Sequence, residues 1–185
     1  MDKRSGGNTS HGKLIIGLLY PTDSPDMFDW TVGRLSSTFG DIERMGPPYP
    51  FTWTDYYKDI SPDLTRRFLT FKGLRHPFGL VVWKRLAIAI EAESAGDGKS
   101  RKVNIDPGYI DGARLVLAST KDNAHRIYLW DDIFAEVTLC HGKSGWVSFP
   151  YTFPDFANGV YFEFLEFARE DWKRDMRASR EKGFI

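Results

Sequence analysis

Residues 13–20, KLIIGLLY, form a nearly unbroken apolar run, the pattern of a strand buried on both faces. After a loop at 21–25 the spacing changes. Phe28, Val32, Leu35 and Phe39 recur at helical intervals and predict a helix over 26–39 that Gly40 ends. Residues 41–45 form a short strand, and GPPYPF then breaks regular structure. Residues 67–71 alternate as a strand. Leu80, Trp83, Leu86, Ala87, Ile90 and Ala92 set a helix over 76–94, followed by the loop AGDGKSR and a short strand at 102–105. Strand, helix, strand, strand, helix, strand is the ferredoxin-like split β-α-β order.

Asp106-Pro107 then opens a third helix in this reading. Asp accepts from first-turn amides, Pro is pre-set for the first helical position, and Ile110, Ala113 and Leu117 continue the stripe to about 119. Residues 125–129 and 134–140 read as a hairpin through Trp130-Asp131-Asp132. A second turn at 142–145 leads into a strand at 146–149. Beyond Pro154, Phe164, Ala168, Trp172 and Met176 fall in register on a long helix over about 159–179. The expected fold class is α/β (α+β), with a ferredoxin-like split βαβ front half, an appended β-hairpin and a long C-terminal helix. The polar, Gly/Ser-rich residues 1–12 are expected to be a disordered tail and 13–182 a single globular domain.

Composition narrows the function more than it identifies it. Twenty-five basic residues balance 25 acidic ones, so no global field draws in nucleic acid or an anionic membrane. The single Cys140 excludes an intramolecular disulfide and a multi-cysteine zinc site. No segment approaches the roughly 20 apolar residues of a membrane helix, and the cytoplasm is the expected compartment. No HxH, HExxH or Cys/His spacing marks a metal site, and nothing names a cofactor.

The candidate chemistry gathers between Val103 and Leu139. Asn104, Asp106 and Tyr109 lie at the expected helix start, a geometry that suits helix capping and anion binding alike. Lys121, His125 and Arg126 add three cations within six residues. The hairpin decides how they pair with Glu136. A two-residue Asp131-Asp132 turn places His125 diagonal to Glu136, as an acid/base pair. A three-residue loop places Arg126 opposite Glu136, as an ion pair. A second cluster is Asp55 with Arg66 and Arg67, where an arginine fork could grip phosphate or carboxylate, or pair with Asp55 on the surface. If the protein is an enzyme, His125 with Glu136 is the acid/base candidate.

The segments FTWTDYY, RRFLTF, VNIDPGY, TKDNAHRIYL, AEVTL and PYTFPDF resemble, in this order, the prokaryotic family known as domain of unknown function 4416. That family has no established activity, and some members carry the label GTP-binding protein. The residues do not support that label. The GxxxxGKS template before Gly98-Lys99-Ser100 needs a glycine where Glu93 stands, and before Gly142-Lys143-Ser144 one where Val137 stands. Thr120-Lys121-Asp122-Asn123 also places its acid one position early for guanine reading. The leading expectation is a protein that binds a small anionic ligand, phosphate-bearing or a nucleotide. The alternatives are a non-catalytic protein-interaction module and, more weakly, single-stranded RNA binding through aromatics and arginines.

Overall fold

The computed structural model describes residues 11–98 and 100–183. Strand β1 (Lys13–Pro21) lies inside a nine-stranded sheet because both of its faces are covered. It pairs antiparallel with β4 (Leu64–Phe71) on one side and β5 (Asn104–Ile110) on the other. Strands β2 (Ile42–Met45) and β3 (Tyr49–Phe51) both pair with β4, along different halves of it. Beyond β5 come β6 (Arg114–Ser119) and β8 (Ile133–Gly142), whose two halves pair with β7 (Ile127–Trp130) and β9 (Gly145–Ser148). Every pairing is antiparallel. The path runs β2-β4-β1-β5-β6-β8-β7.

Helix α1 (Pro25–Phe39) links β1 to β2, and α2 (Leu80–Ser94) links β4 to β5. Each helix joins two strands that have one antiparallel strand between them in the sheet. Alternation along β1 sorts the core into two layers. Leu14, Ile16 and Leu18 pack with Leu35, Leu80 and Ala87 of the two helices. Ile15 packs with Phe68, Phe164 and Leu165, under the short α3 (Pro154–Ala157) and the long α4 (Phe162–Glu181). Lys13, fully buried, fastens β1 to Glu43 of β2 and Asp175 of α4. No helix among the described residues is long and apolar enough to cross a membrane.

The structure corrects several expectations. No helix follows Asp106. Residues 104–110 and 114–119 are strands, because Leu115, Val116 and Ala118 are buried on both sides of a β ladder that outweighs the helical spacing of Ile110, Ala113 and Leu117. GPPYPF is not wholly irregular, since Tyr49–Phe51 pairs with β4 and Pro50 is tolerated on a strand at the sheet margin. Strand β4 begins at Leu64, three residues before the expected start. Of the expected tail, residues 1–10 lie outside the described residues. His11 and Gly12 are tied down, with Gly12 exchanging two 2.8 Å backbone bonds with Arg75 and the His11 carbonyl accepting from Trp172 Nε1 at 2.6 Å.

Candidate functional site

The sheet opens between β5 and β6. The two strands pair only from Gly108↔Leu117 to Ile110↔Leu115. Pro107 has no N–H for a ladder bond, and at Gly108 the strands touch so closely that a Cβ would lie 2.2 Å from the Val116 carbonyl oxygen. Upstream, Asn104, Ile105 and Asp106 have no β6 partner. Two side chains from α2 take its place. Glu91 Oε1 accepts the Ile105 N–H at 2.7 Å, and Lys84 Nζ donates to the Ile105 carbonyl at 2.8 Å. Both side chains are nearly fully buried, so they satisfy backbone groups that would otherwise be orphaned. Burial pushes the Glu91 carboxyl above its ordinary range, against the pull of Lys84, the Ile105 amide and Arg101.

This opening holds a cavity of about 200 Å³. Arg66 of β4 and Asp106 of β5 reach it across β1, and Gly17 makes that crossing feasible. Gly17 stands opposite Asp106 in one ladder and Phe68 in the other, and a Cβ there would come 3.0 Å from Arg66 Nη1 and 3.1 Å from the Phe68 ring. The guanidinium then lies between two carboxylates, Nη1 at 3.6 Å from Asp106 Oδ2 and Nε at 3.6 Å from Asp155 Oδ2. Both separations exceed a direct hydrogen bond. Nε is buried, in a residue only 3% exposed, and has no hydrogen-bond partner among the described residues. The rings of Phe51, Phe68 and Phe156 surround it at 4.9–5.9 Å.

The two flanking carboxyls are driven in opposite directions. Burial pushes Asp106 up, but the charges of Lys84 and Arg66 and the hydrogen bonds from Lys84 and Asn104 outweigh it and hold the carboxyl low. Asp155, fully buried, is pushed up by that burial despite Arg66, the Tyr161 hydroxyl at 3.0 Å and the Phe156 amide at 2.9 Å. Three other pairs on the cavity wall are closed: Lys84 with Asp106, Arg101 with Glu91, and Arg126 with Glu136. Two cations are not matched in this way. One is Arg66. The other is Lys121, exposed, whose ammonium rests 3.3 Å from the Tyr56 ring centroid with no carboxylate in salt-bridge range among the described residues.

Substituting Gly17 by Val should therefore act on Arg66 directly. The added methyls occupy the space of Nη1 and the Phe68 ring, and overpacking of this kind costs about 1–3 kcal/mol. Chemical denaturation checks it; a variant as stable as wild type would mean that Arg66 does not fill that space.

The hairpin β7–β8 reconciles the two alternatives left open by the sequence. Asp131 and Asp132 both have positive φ, 55° and 53°, and form the two-residue turn with Trp130 opposite Ile133. A bulge at Leu129 then shifts the register by one, so that Tyr128 faces Phe134, Ile127 faces Ala135 and Arg126 comes level with Glu136. Arg126 Nε donates to Glu136 Oε2 at 2.8 Å, and His125 Nε2 lies 3.1 Å from the same oxygen. Arg126 Nη1 also donates to the Lys121 carbonyl, holding the loop that carries Lys121 over the cavity.

Of the residues singled out in the sequence, Asn104, Asp106, Lys121, Arg126, Glu136 and Arg66 line this one cavity. His125 does not line it; its ring stacks on Tyr151 at 4.3 Å, behind Arg126. Tyr109 packs against Gly12 and the apolar layer under α1 and α2. Arg67, one residue on from Arg66, turns to the other face, donating to the Gly46 carbonyl and lying over Phe28. Asp55 is exposed and pairs with Lys58, bordering a separate open depression. The sequence reading missed Lys84, Glu91, Arg101 and Asp155. A signal existed for the first two, because Leu80, Lys84, Ala87, Glu91 and Ser94 form one helical stripe in which charged residues occupy core positions. Among the described residues no cluster of three or more His, Cys, Asp or Glu is placed to hold a metal ion.

Comparison with known proteins adds a family and no activity. The family described as Domain of unknown function (DUF4416) matches residues 10–172 of the 185. No curated protein and no solved structure matches.

Proposed function

The chain belongs to the DUF4416 family, and we propose that it binds a small phosphate-bearing anion, such as a nucleotide or another phosphorylated metabolite, in the cleft between β5 and β6. The observation that carries this reading is Arg66, a buried guanidinium at the wall of a cavity whose Nε has no hydrogen-bond partner among the described residues. Buried donors are almost always satisfied, and phosphate or carboxylate oxygens match the guanidinium fork. Lys121, with no carboxylate in salt-bridge range among the described residues, adds a second cation to the cavity lining, while Asp106 and Asn104 offer an acceptor and an amide to the rest of the ligand. His125 stands outside the cavity lining, so the reading is one of binding rather than of His125 chemistry.

A thermal-shift series with inorganic phosphate, pyrophosphate, nucleotides and sugar phosphates tests it. A ligand at a hundred times its Kd stabilises the native state by about 2.7 kcal/mol, a rise of roughly 5–10 °C in Tm for a chain of this size. Absence of a saturable rise with every phosphate compound would reject the reading.

A further inference from the structure

We propose that the anion enters this cavity together with a proton, and that Asp155 is the group that takes the proton up. This rests on the reading of the cleft as a phosphate site and adds a control of its affinity by pH. The ground for it is the way Arg66 is shared. Its Nε lies 3.6 Å from Asp155 Oδ2 and its Nη1 3.6 Å from Asp106 Oδ2, and all three residues line the cavity. A phosphate that satisfies Nε puts a third anion beside one guanidinium. Like charges crowded about a single cation in a buried site do not all stay ionised, and a proton on one of them relieves the repulsion.

The two carboxylates differ in what else holds them. Asp106 is partly exposed, with Lys84 Nζ 3.3 Å from Oδ1 and the Asn104 amide donating to Oδ2 at 2.8 Å, so it keeps its charge when Arg66 turns to a ligand. Asp155 is fully buried, and Arg66 is the one cation within salt-bridge range of it among the described residues. Its other neighbours do not replace that charge. The Tyr161 hydroxyl ahead of α4 and the Phe156 amide donate neutral hydrogen bonds, and Asp106 of β5 repels. Tyr49 of β3 lies edge-on to the Tyr161 ring, and β9, packed against α3, carries no titratable side chain. Burial already pushes the Asp155 carboxyl above its ordinary range, with Arg66 as the largest opposing pull, so a ligand that shares Arg66 pushes it further. The sign of the pH dependence follows. With the liganded pKa above the free one, affinity is greatest below the free value, falls as pH rises through the window between the two, and then levels off.

The carboxyl carbon of Asp155, followed by ¹³C NMR of the full wild-type chain over a pH series and assigned through its own backbone, reports the proton directly. Saturating inorganic phosphate should raise its titration midpoint by about one pH unit or more. Calorimetric titration with inorganic phosphate gives a second readout, the ratio of Kd in wild type to Kd in Asp155→Asn, in which the ionisation of phosphate itself cancels. That ratio should climb about tenfold from below the window to above it, so that the variant binds phosphate more tightly than wild type at high pH. A midpoint that stays fixed while phosphate binds overturns the proposal and leaves the phosphate site standing. So does an Asp155 carboxyl that is already neutral at neutral pH before phosphate is added, because no proton is then left to take up. Both of these are read on the wild-type chain, so a variant that fails to fold does not shield the proposal. If wild type binds no phosphate at any pH, the proposal and the phosphate site fall together.

Discussion

Glu91→Leu is expected to destabilise the protein by roughly 3–5 kcal/mol, as removal of one member of a buried charged network does. Glu91 is 5% exposed, holds the Ile105 amide and pairs with Arg101. The double substitution Lys84→Met with Glu91→Leu separates two explanations. Were the two residues only a buried ion pair, apolar replacements of similar volume would restore most of the stability. Here each also serves a backbone group of Ile105 that β6 leaves unpaired. Two orphaned groups at about 1–3 kcal/mol each should keep the double variant at least about 2 kcal/mol below wild type in urea denaturation. Full recovery would show that the backbone of β5 does not depend on α2.

Arg66→Ala is expected to abolish the phosphate-dependent rise in melting temperature and to cost roughly 3–5 kcal/mol in the absence of ligand. The loss follows from Asp155, fully buried, with Arg66 as the cation beside it. Its pH dependence has a definite sign. The folded-state pKa of Asp155 already lies above the ordinary 3.8 through burial, and removing Arg66 raises it further. The native state then binds more protons than the unfolded chain, so stability falls as pH rises from about 3.8 through the raised value. That fall should extend to higher pH in Arg66→Ala than in wild type. Arg66→Lys keeps the charge and loses the fork; it should be milder in stability and weaken phosphate binding on the order of tenfold, the equivalent of one charge-assisted hydrogen bond. Undiminished binding by Arg66→Ala would place the ligand elsewhere.

What was legible in the sequence follows from which signals are local. The run at β1 and the stripes of α1, α2 and α4 are periodic within one element, and each appears close to where its spacing placed it. The stretch after Asp106 misled because its local signals conflict. Asp-Pro followed by apolar residues at helical spacing reads as a capped helix, while the partners that make it a strand, β1 and β8 above all, are remote in sequence. The hairpin was ambiguous for a similar reason. Loop length and register are normally linked, and the bulge at Leu129 uncouples them without a residue that announces it.

The cavity was half legible. Asn104, Asp106, Lys121, Arg126 and Glu136 stood out because polar and charged groups sit beside apolar strands in one segment of chain. Arg66 was named for its type, but nothing local distinguished it from Arg67, which faces the other way. Gly17 is silent in sequence, since its role depends on two ladders that set Asp106 and Phe68 beside it. Asp155 hides in a proline- and aromatic-rich stretch whose obvious reading is packing.

Arg66 Nε can be observed in solution by the ¹H–¹⁵N correlation of arginine side chains, assigned by its loss in Arg66→Lys. Titration with the phosphate compound that raises the melting temperature most should shift the Arg66 Nε–Hε signal saturably, with the same Kd as the thermal series, as a new acceptor satisfies the buried donor. A signal that stays fixed while a phosphate compound stabilises the protein would contradict the account, because the anion would then be held by groups other than Arg66.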